Sequence, residues 1–154
     1  MARAFTSAAT LMVCLHASAA DAAPDPEKVR FFETKVRPLL SERCEKCHSA
    51  AAHKSKGDLT LDTRAGWEKG GEHGAAIVPG KPKESALLER IHSTNAKELM
   101  PPPKTLKKMT AVQKEILQRW ITEGAAYQLH WSLLAPTRPP LPTVKNEAWA
   151  RNPI

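Results

Sequence analysis

The stretch CEKCH, at residues 44–48, is the part of this sequence whose residue types and spacing most directly indicate chemistry. Two cysteines stand three positions apart, and a histidine follows the second one immediately. Four kinds of site use such residues: a disulfide, a zinc half-site, a redox dithiol and a covalent haem attachment. The rest of the chain must decide among them.

The first three alternatives each fit the sequence less well than haem attachment, although a disulfide between Cys44 and Cys47 is geometrically possible. A disulfide that closes so short a loop stabilises little. A zinc site needs four ligands, and the sequence has no second ligand pair at zinc spacing. A thioredoxin-like dithiol needs a βαβ setting, which the pattern does not show.

Haem attachment explains all three residues together. Their spacing predicts Cys44 and Cys47 on one face of a helix, where both sulfurs can form thioethers with the two haem vinyl groups. His48 then reaches the iron from the same side. We therefore predict one covalent haem c, attached through Cys44 and Cys47 and ligated by His48.

The sixth iron ligand is predicted to be Met100, which lies in ELMPPPK. Pro101 restricts Met100 to an extended backbone, and the three prolines stiffen the segment before folding. Met109 stands just before a predicted helix cap, where an apolar residue commonly packs. The alternatives that stay open are an empty sixth position and one of four histidines: His53, His73, His92 and His130.

Residues 1–23 have the pattern of a secretory signal peptide. Arg3 precedes a short apolar stretch, and small residues follow at A-x-A spacing. The apolar stretch is too short for a membrane span. We therefore expect an exported protein, periplasmic or associated with the cell envelope, without a transmembrane segment.

The composition is that of one modest globular domain. The 154 residues are 42% hydrophobic and only 5% aromatic, so a large apolar cofactor would help to fill the core. The net charge of +7 is compatible with an acidic protein partner. Without a long basic run or a nucleic-acid motif, we do not expect nucleic-acid binding.

Apolar residues at helical spacing predict an all-α domain with long loops at residues 25–131, followed by a proline-rich tail at residues 132–154. No alternating run is long enough to predict a sheet. The first helix should kink or restart at Pro38, and a brief helix should be capped by Asp62.

The clearest helix is TAVQKEILQRWITEG. Thr110 and Gln113 form a capping box, and Gly124 occupies the position of a C-terminal glycine. Its predicted apolar face consists of Val112, Ile116, Leu117, Trp120 and Ile121. Among the tryptophans, Trp120 is the first candidate for a wall of the haem site, although ordinary core packing is an equal alternative. Arg64 and Arg90 are candidates for haem propionates or for solvated surface.

The stretches FFETKVRPLLSERCEKCHS, IVPGKPKESALLERI, LMPPP, RWITEGAAYQLHW and RPPLP resemble the planctomycete-type cytochrome c-like domain, of the class I c-type cytochrome family. The resemblance covers about residues 29–142. It implies a small helical fold around one covalent haem, with His48 proximal and Met100 distal. Because such domains commonly stand at the N-terminus of larger exported proteins, it also implies that this chain is the N-terminal part of a longer one.

The expected function is electron transfer with a redox partner protein, not enzymatic catalysis. A haem with both axial positions filled blocks substrate from the iron and leaves electron exchange through the haem edge. The alternatives are a peroxidase-like haem enzyme and a haem sensor or structural module, both with an open sixth position.

Overall fold

The computed structural model describes residues 25–136 and residue 138, and this part of the chain is mostly helical. The predicted signal peptide and most of the predicted tail lie outside the described residues. The α-helices are α1 at Pro26–Phe31, α2 at Arg37–Arg43, α3 at Arg64–Lys69, α4 at Ala86–His92 and α5 at Ala111–Thr122. Short 3₁₀ turns lie at Lys56–Asp58, Pro82–Glu84, Pro103–Thr105 and Trp131–Leu133.

A π-helical turn at Phe32–Val36 joins α1 to α2. The N–H of Arg37 donates to the carbonyl of Phe32, five residues earlier. Pro38 has no N–H to continue a regular ladder, but it is tolerated in the first turn of α2. The predicted restart at Pro38 is therefore confirmed, and the wider turn before it keeps the helical run continuous.

The structure adds a small antiparallel ladder that the sequence did not predict. Strand β1 at His48–Ser49 pairs with β2 at Lys54–Ser55, with His48 opposite Ser55. Two-residue strands are too short to produce an alternating pattern, so the expectation of no sheet was wrong for this local reason.

Helix α3 is capped by a different residue from the one predicted. The hydroxyl of Thr63 accepts a hydrogen bond from the N–H of Gly66 at 3.1 Å. The carboxylate of Asp62, the predicted cap, instead contacts residues 49–51. The prediction was wrong by one residue because both side chains suit a cap and only the tertiary structure gives Asp62 another set of donors.

Helix α5 confirms the predicted capping box between Thr110 and Gln113, and Gly124 has the positive φ of +98° expected just past a helix end. Leu117, Trp120 and Ile121 are buried. Val112 is wrong as a member of the buried face, since it is 64% exposed. It lies in the first turn of α5, whereas the buried residues lie in the second half of the helix.

The core centres on an aromatic cluster. Phe32 stacks on Trp120 with ring centroids 5.6 Å apart, and Trp67 meets Trp120 edge-on at 6.1 Å. Tyr127 packs beside Phe32 at 5.2 Å. Arg37 holds this arrangement from outside, because its guanidinium lies 4.8 Å from the centroid of Phe32 and pairs with Glu33 at 2.8 Å. The helical run at residues 26–43 is thereby joined to α3, α5 and the segment after α5.

Within residues 25–136, no helix is both long enough and apolar enough to cross a membrane.

Candidate functional site

The CEKCH segment lies in a tight turn that follows α2. Helix α2 ends at Arg43, and the carbonyl of Cys44 accepts hydrogen bonds from the N–H groups of Cys47 at 3.0 Å and His48 at 3.1 Å. The expectation that both cysteines lie on a helix face was wrong, because the regular helix stops one residue earlier. The turn retains helix-like hydrogen bonds and keeps the three side chains close along the chain.

His48 is held by backbone hydrogen bonds on both sides of the turn. The N–H of Lys56 donates to the carbonyl of Cys47 at 3.1 Å, and the N–H of Leu61 donates to the carbonyl of His48 at 2.9 Å. These bonds, together with the β1–β2 ladder, fix the backbone from which the imidazole projects.

The imidazole of His48 is half-buried, and its Nδ1 is buried without a hydrogen-bond partner among the described residues. Burial lowers the pKa of His48. The nearby backbone groups of Leu59 and Lys56 oppose this shift, because they raise the pKa of His48. The ring is therefore biased toward its neutral form, which is the form that ligates metals.

Met100 approaches from a loop after α4. Its N–H donates to the carbonyl of Arg90 at 3.1 Å, and its peptide bond to Pro101 is cis. The residue lies outside regular secondary structure and is half-buried. Met109 is only 6% exposed and belongs to the hydrophobic core, as its position before the α5 cap predicted.

One cavity of about 690 Å³ brings the predicted residues together: Cys44, Cys47, His48 and Met100 all line it. Its volume lies within the roughly 300–1,000 Å³ that is typical of cofactor and ligand pockets. Its apolar walls are aliphatic and come mainly from Leu59, Leu61, Ala76, Leu87 and Ile91.

The residues that line the cavity also distinguish among the other candidate site residues. Of the four histidines proposed as sixth ligands, His73 lines the cavity, whereas His53, His92 and His130 do not. Of the two alternatives for Trp120, the structure follows core packing: Trp120 is buried in the aromatic cluster and does not line the cavity. Arg90 lines it, but Arg64 pairs with Glu68 at the surface.

Cationic side chains surround the cavity. They are Arg43, Lys46, Lys56, Arg90, Lys97, Lys104 and Lys107. Glu72 is the single acidic residue among the described residues that line the cavity. Lys107 also donates to the carbonyl of Glu42 in the last turn of α2, so it connects the Met100 loop to the helix end that precedes Cys44.

Cys44 and Cys47 are both free thiols. Burial raises the pKa of the Cys44 thiol to about 12, and the carboxylate of Glu45 raises it further, whereas Lys107 and Arg43 oppose the shift. Cys44 is thus kept as a neutral thiol in an apolar wall, not as an exposed, reactive thiolate.

Asp62 organises the loop that follows the CEKCH turn. Its carboxylate accepts hydrogen bonds from the Ser49 hydroxyl at 2.7 Å and from the N–H groups of Ala50 at 2.9 Å and Ala51 at 3.0 Å. Its backbone carbonyl accepts from the Tyr127 hydroxyl at 3.0 Å. Although burial opposes it, these donors lower the pKa of Asp62.

Sequence reasoning missed Asp62 as a support of the site, and it also missed Arg43 as a residue of the cavity wall. Arg43 is adjacent to Cys44, so proximity to the motif was the available signal. The contacts of Asp62 and Lys107 span 11 to 65 residues of chain, and no local pattern marks them.

Residues 44–104 match the family model for planctomycete cytochrome c. This match supports a planctomycete-type cytochrome c domain in this part of the chain. The matched segment begins at Cys44 and ends at Lys104, so it includes Cys44, Cys47, His48 and Met100. It is shorter than the resemblance over residues 29–142, and α5 lies outside it. No curated protein and no solved structure matches this cytochrome c domain.

The residues present in the domain fit the haem c that this family suggests. Two free thiols, one imidazole and one thioether share a cavity with aliphatic walls. Thiol, imidazole and thioether are the donor types that attach and ligate haem c. Cys44, Cys47, His48 and Met100 are the residues that would hold the group.

The contacts of Asp62 predict a pH-dependent contribution to stability. Asp62→Ala should lower the free energy of unfolding by about 1–2 kcal/mol at pH 7, the lower part of the range for hydrogen bonds to a charged group, because the carboxylate is partly exposed. Since folding lowers the pKa of Asp62, this stability is present above its unfolded pKa and is lost as the pH falls below about 4. Urea unfolding of the purified protein at pH 7 and at stepwise lower pH measures both effects.

Asp62→Asn is the matched control, because it keeps one acceptor oxygen and should lose less stability than the alanine variant. Equal unfolding free energies for the native and alanine proteins at pH 7 would contradict the role of Asp62. So would a gap between them that stays constant down to pH 3.

Proposed function

We propose that this domain is an electron-transfer module that carries one covalent haem c in an exported compartment. Cys44 and Cys47 form the thioethers, His48 is the proximal iron ligand and Met100 is the distal one. The observation that supports the proposal best is the shared cavity, which collects these four side chains although Met100 lies 52 residues beyond His48.

The bound group would supply one-electron chemistry between ferric and ferrous iron. The chain's own residues set the conditions for it. His48 offers a neutral imidazole, and Met100 would fill the remaining axial position and exclude small substrates. His/Met ligation favours a higher reduction potential than ligation by two histidines. The aliphatic walls offer apolar surface against which the bound group would pack.

The proposal predicts that the double variant Cys44→Ala/Cys47→Ala has no covalent haem. Expression should be carried out together with the haem-attachment machinery. The native protein should gain the mass of one haem, and the haem should stay with the protein in acid–acetone extraction. The double variant should gain no mass. Each single variant should retain at most one thioether, which mass spectrometry of proteolytic peptides would show. Haem that stays attached to the double variant would refute the attachment site.

A second candidate function is that of a haem enzyme with an open sixth position. His73 favours it, because this exposed side chain lines the same cavity as His48 and could serve as a distal acid–base group or as a ligand. It lies in a tight turn between Gly71 and Gly74, whose backbones form an isolated β-bridge.

The sixth ligand can be decided with a pair of matched methionine variants. Met100→Leu should remove the methionine–iron charge-transfer band of the oxidised protein and convert its spectrum from low-spin to high-spin. Met109→Leu, a similar change in the core, should leave the spectrum unchanged. His73→Ala should also leave it unchanged. A high-spin spectrum in the native protein would favour the enzyme, and a low-spin spectrum that depends on His73 and not on Met100 would assign the ligand to His73.

We also propose an acidic redox partner, because cations surround the cavity. Lys97 and Lys104 are both exposed and line its edge. Lys107, by contrast, is engaged with the Glu42 carbonyl, so its loss would also disturb the loop.

Charge steering predicts that electron transfer to a small anionic oxidant slows as ionic strength rises. Lys97→Glu/Lys104→Glu should clearly weaken this dependence on salt. Lys35→Glu/Lys83→Glu is the matched control, since it makes the same charge change at exposed lysines that do not line the cavity. Stopped-flow rates across a salt series measure both. Equal slopes for the two double variants would show that the cavity edge is not the entry point for electrons.

A further inference from the structure

Arg43 combines features that the other cations around the cavity do not share. It is the last residue of α2, it directly precedes Cys44, and it lines the cavity. Its side chain is only 18% exposed. Its Nε is buried without a hydrogen-bond partner in the described part of the chain.

The charge of Arg43 is incompletely compensated. One terminal nitrogen lies 3.3 Å from a carboxylate oxygen of Glu42, but that carboxylate is 61% exposed, so water weakens the pairing. Lys107 lies on the same helix end and adds a second positive charge instead of a negative one. Partial burial of a guanidinium under these conditions costs free energy, unless a group in the cavity interacts favourably with its positive charge.

A group that accepts an electron benefits from a nearby fixed cation. We propose that Arg43 is an electrostatic tuning residue that raises the reduction potential of the site, an inference that rests on the proposed function. When an external one-electron donor reduces the site, the charge of the site falls by one and no bond is made or broken. A partly buried positive charge at the wall lowers the free energy of the reduced state relative to the oxidised one.

This role differs from that of the exposed lysines at the edge of the cavity. Solvent and salt screen Lys97 and Lys104, so they act mainly on the rate of encounter with a partner. Arg43 is screened much less, so its effect on the equilibrium should persist at high ionic strength.

The test is the midpoint potential, measured by spectroelectrochemistry with dye mediators at low and at high salt. Arg43→Gln should reduce the equilibrium constant for reduction about tenfold, which corresponds to about 59 mV for one electron. Arg43→Lys keeps the charge and should stay within about twofold of the native protein. Glu42→Gln removes the compensating carboxylate and should shift the potential upward by a smaller amount. Arg64→Gln is the control, because Arg64 is exposed and does not line the cavity.

A shift in Arg43→Gln that vanishes at high salt would overturn the inference, and so would equal shifts in the glutamine and lysine variants, which would indicate lost packing. If Arg43→Gln fails to fold, Glu42→Gln decides, since an unchanged or lower potential in that variant contradicts the inference. Mass and spectrum of the native protein come first. A native protein without covalent haem refutes the proposed function itself. If the native protein carries haem but Arg43→Gln leaves its midpoint potential unchanged, only the tuning role is refuted.

Discussion

The carbonyl oxygen of Cys44 accepts hydrogen bonds from both Cys47 and His48, and the candidate haem site depends on this turn. It places two thiols and an imidazole on one side of the cavity directly after α2 ends. Asp62 stabilises the loop that follows this turn, because its carboxylate accepts hydrogen bonds from the Ser49 hydroxyl and from the backbone N–H groups of Ala50 and Ala51. Asp62, which lies 14 positions beyond His48, thus supplies hydrogen-bond acceptors to the loop that follows the CEKCH turn.

The domain separates its aromatic core from its cavity. Phe32, Trp67, Trp120 and Tyr127 pack on one another, whereas the cavity has aliphatic walls. With few aromatic residues in the chain, gathering them in one cluster gives α3, α5 and the first helical run a common core. The cavity is lined mainly by loops and by α4, and its cationic side chains come from these segments and from the end of α2.

Charge around the cavity has two distinct physical settings. Lys97 and Lys104 are exposed, so their fields extend into solvent and weaken with salt. Arg43 and Lys107 contact Glu42 at the end of α2 and are more enclosed. The exposed pair is suited to attracting an acidic partner, and the enclosed pair to acting on whatever occupies the cavity. The +7 net charge of the chain does not distinguish these uses.

The sequence by itself determined the features that local chemistry encodes. Pro38 dictates a restart of the helix, and the Thr110–Gln113 box begins α5, because each depends on residues within a few positions of one another. The C-x-x-C-H spacing predicts haem attachment for the same local reason, and this stays a prediction. Only the tertiary structure decided that Met100, and not Met109, lies with His48 in one cavity, and that His73, of the four candidate histidines, is the one that lines it. It also decided that Asp62 stabilises a loop instead of capping α3, that Trp120 belongs to the core, and that Arg43 is half-buried at the cavity wall next to Cys44. These facts depend on contacts between distant segments, and hydrophobic pattern and local propensity carry no information about which distant segments meet.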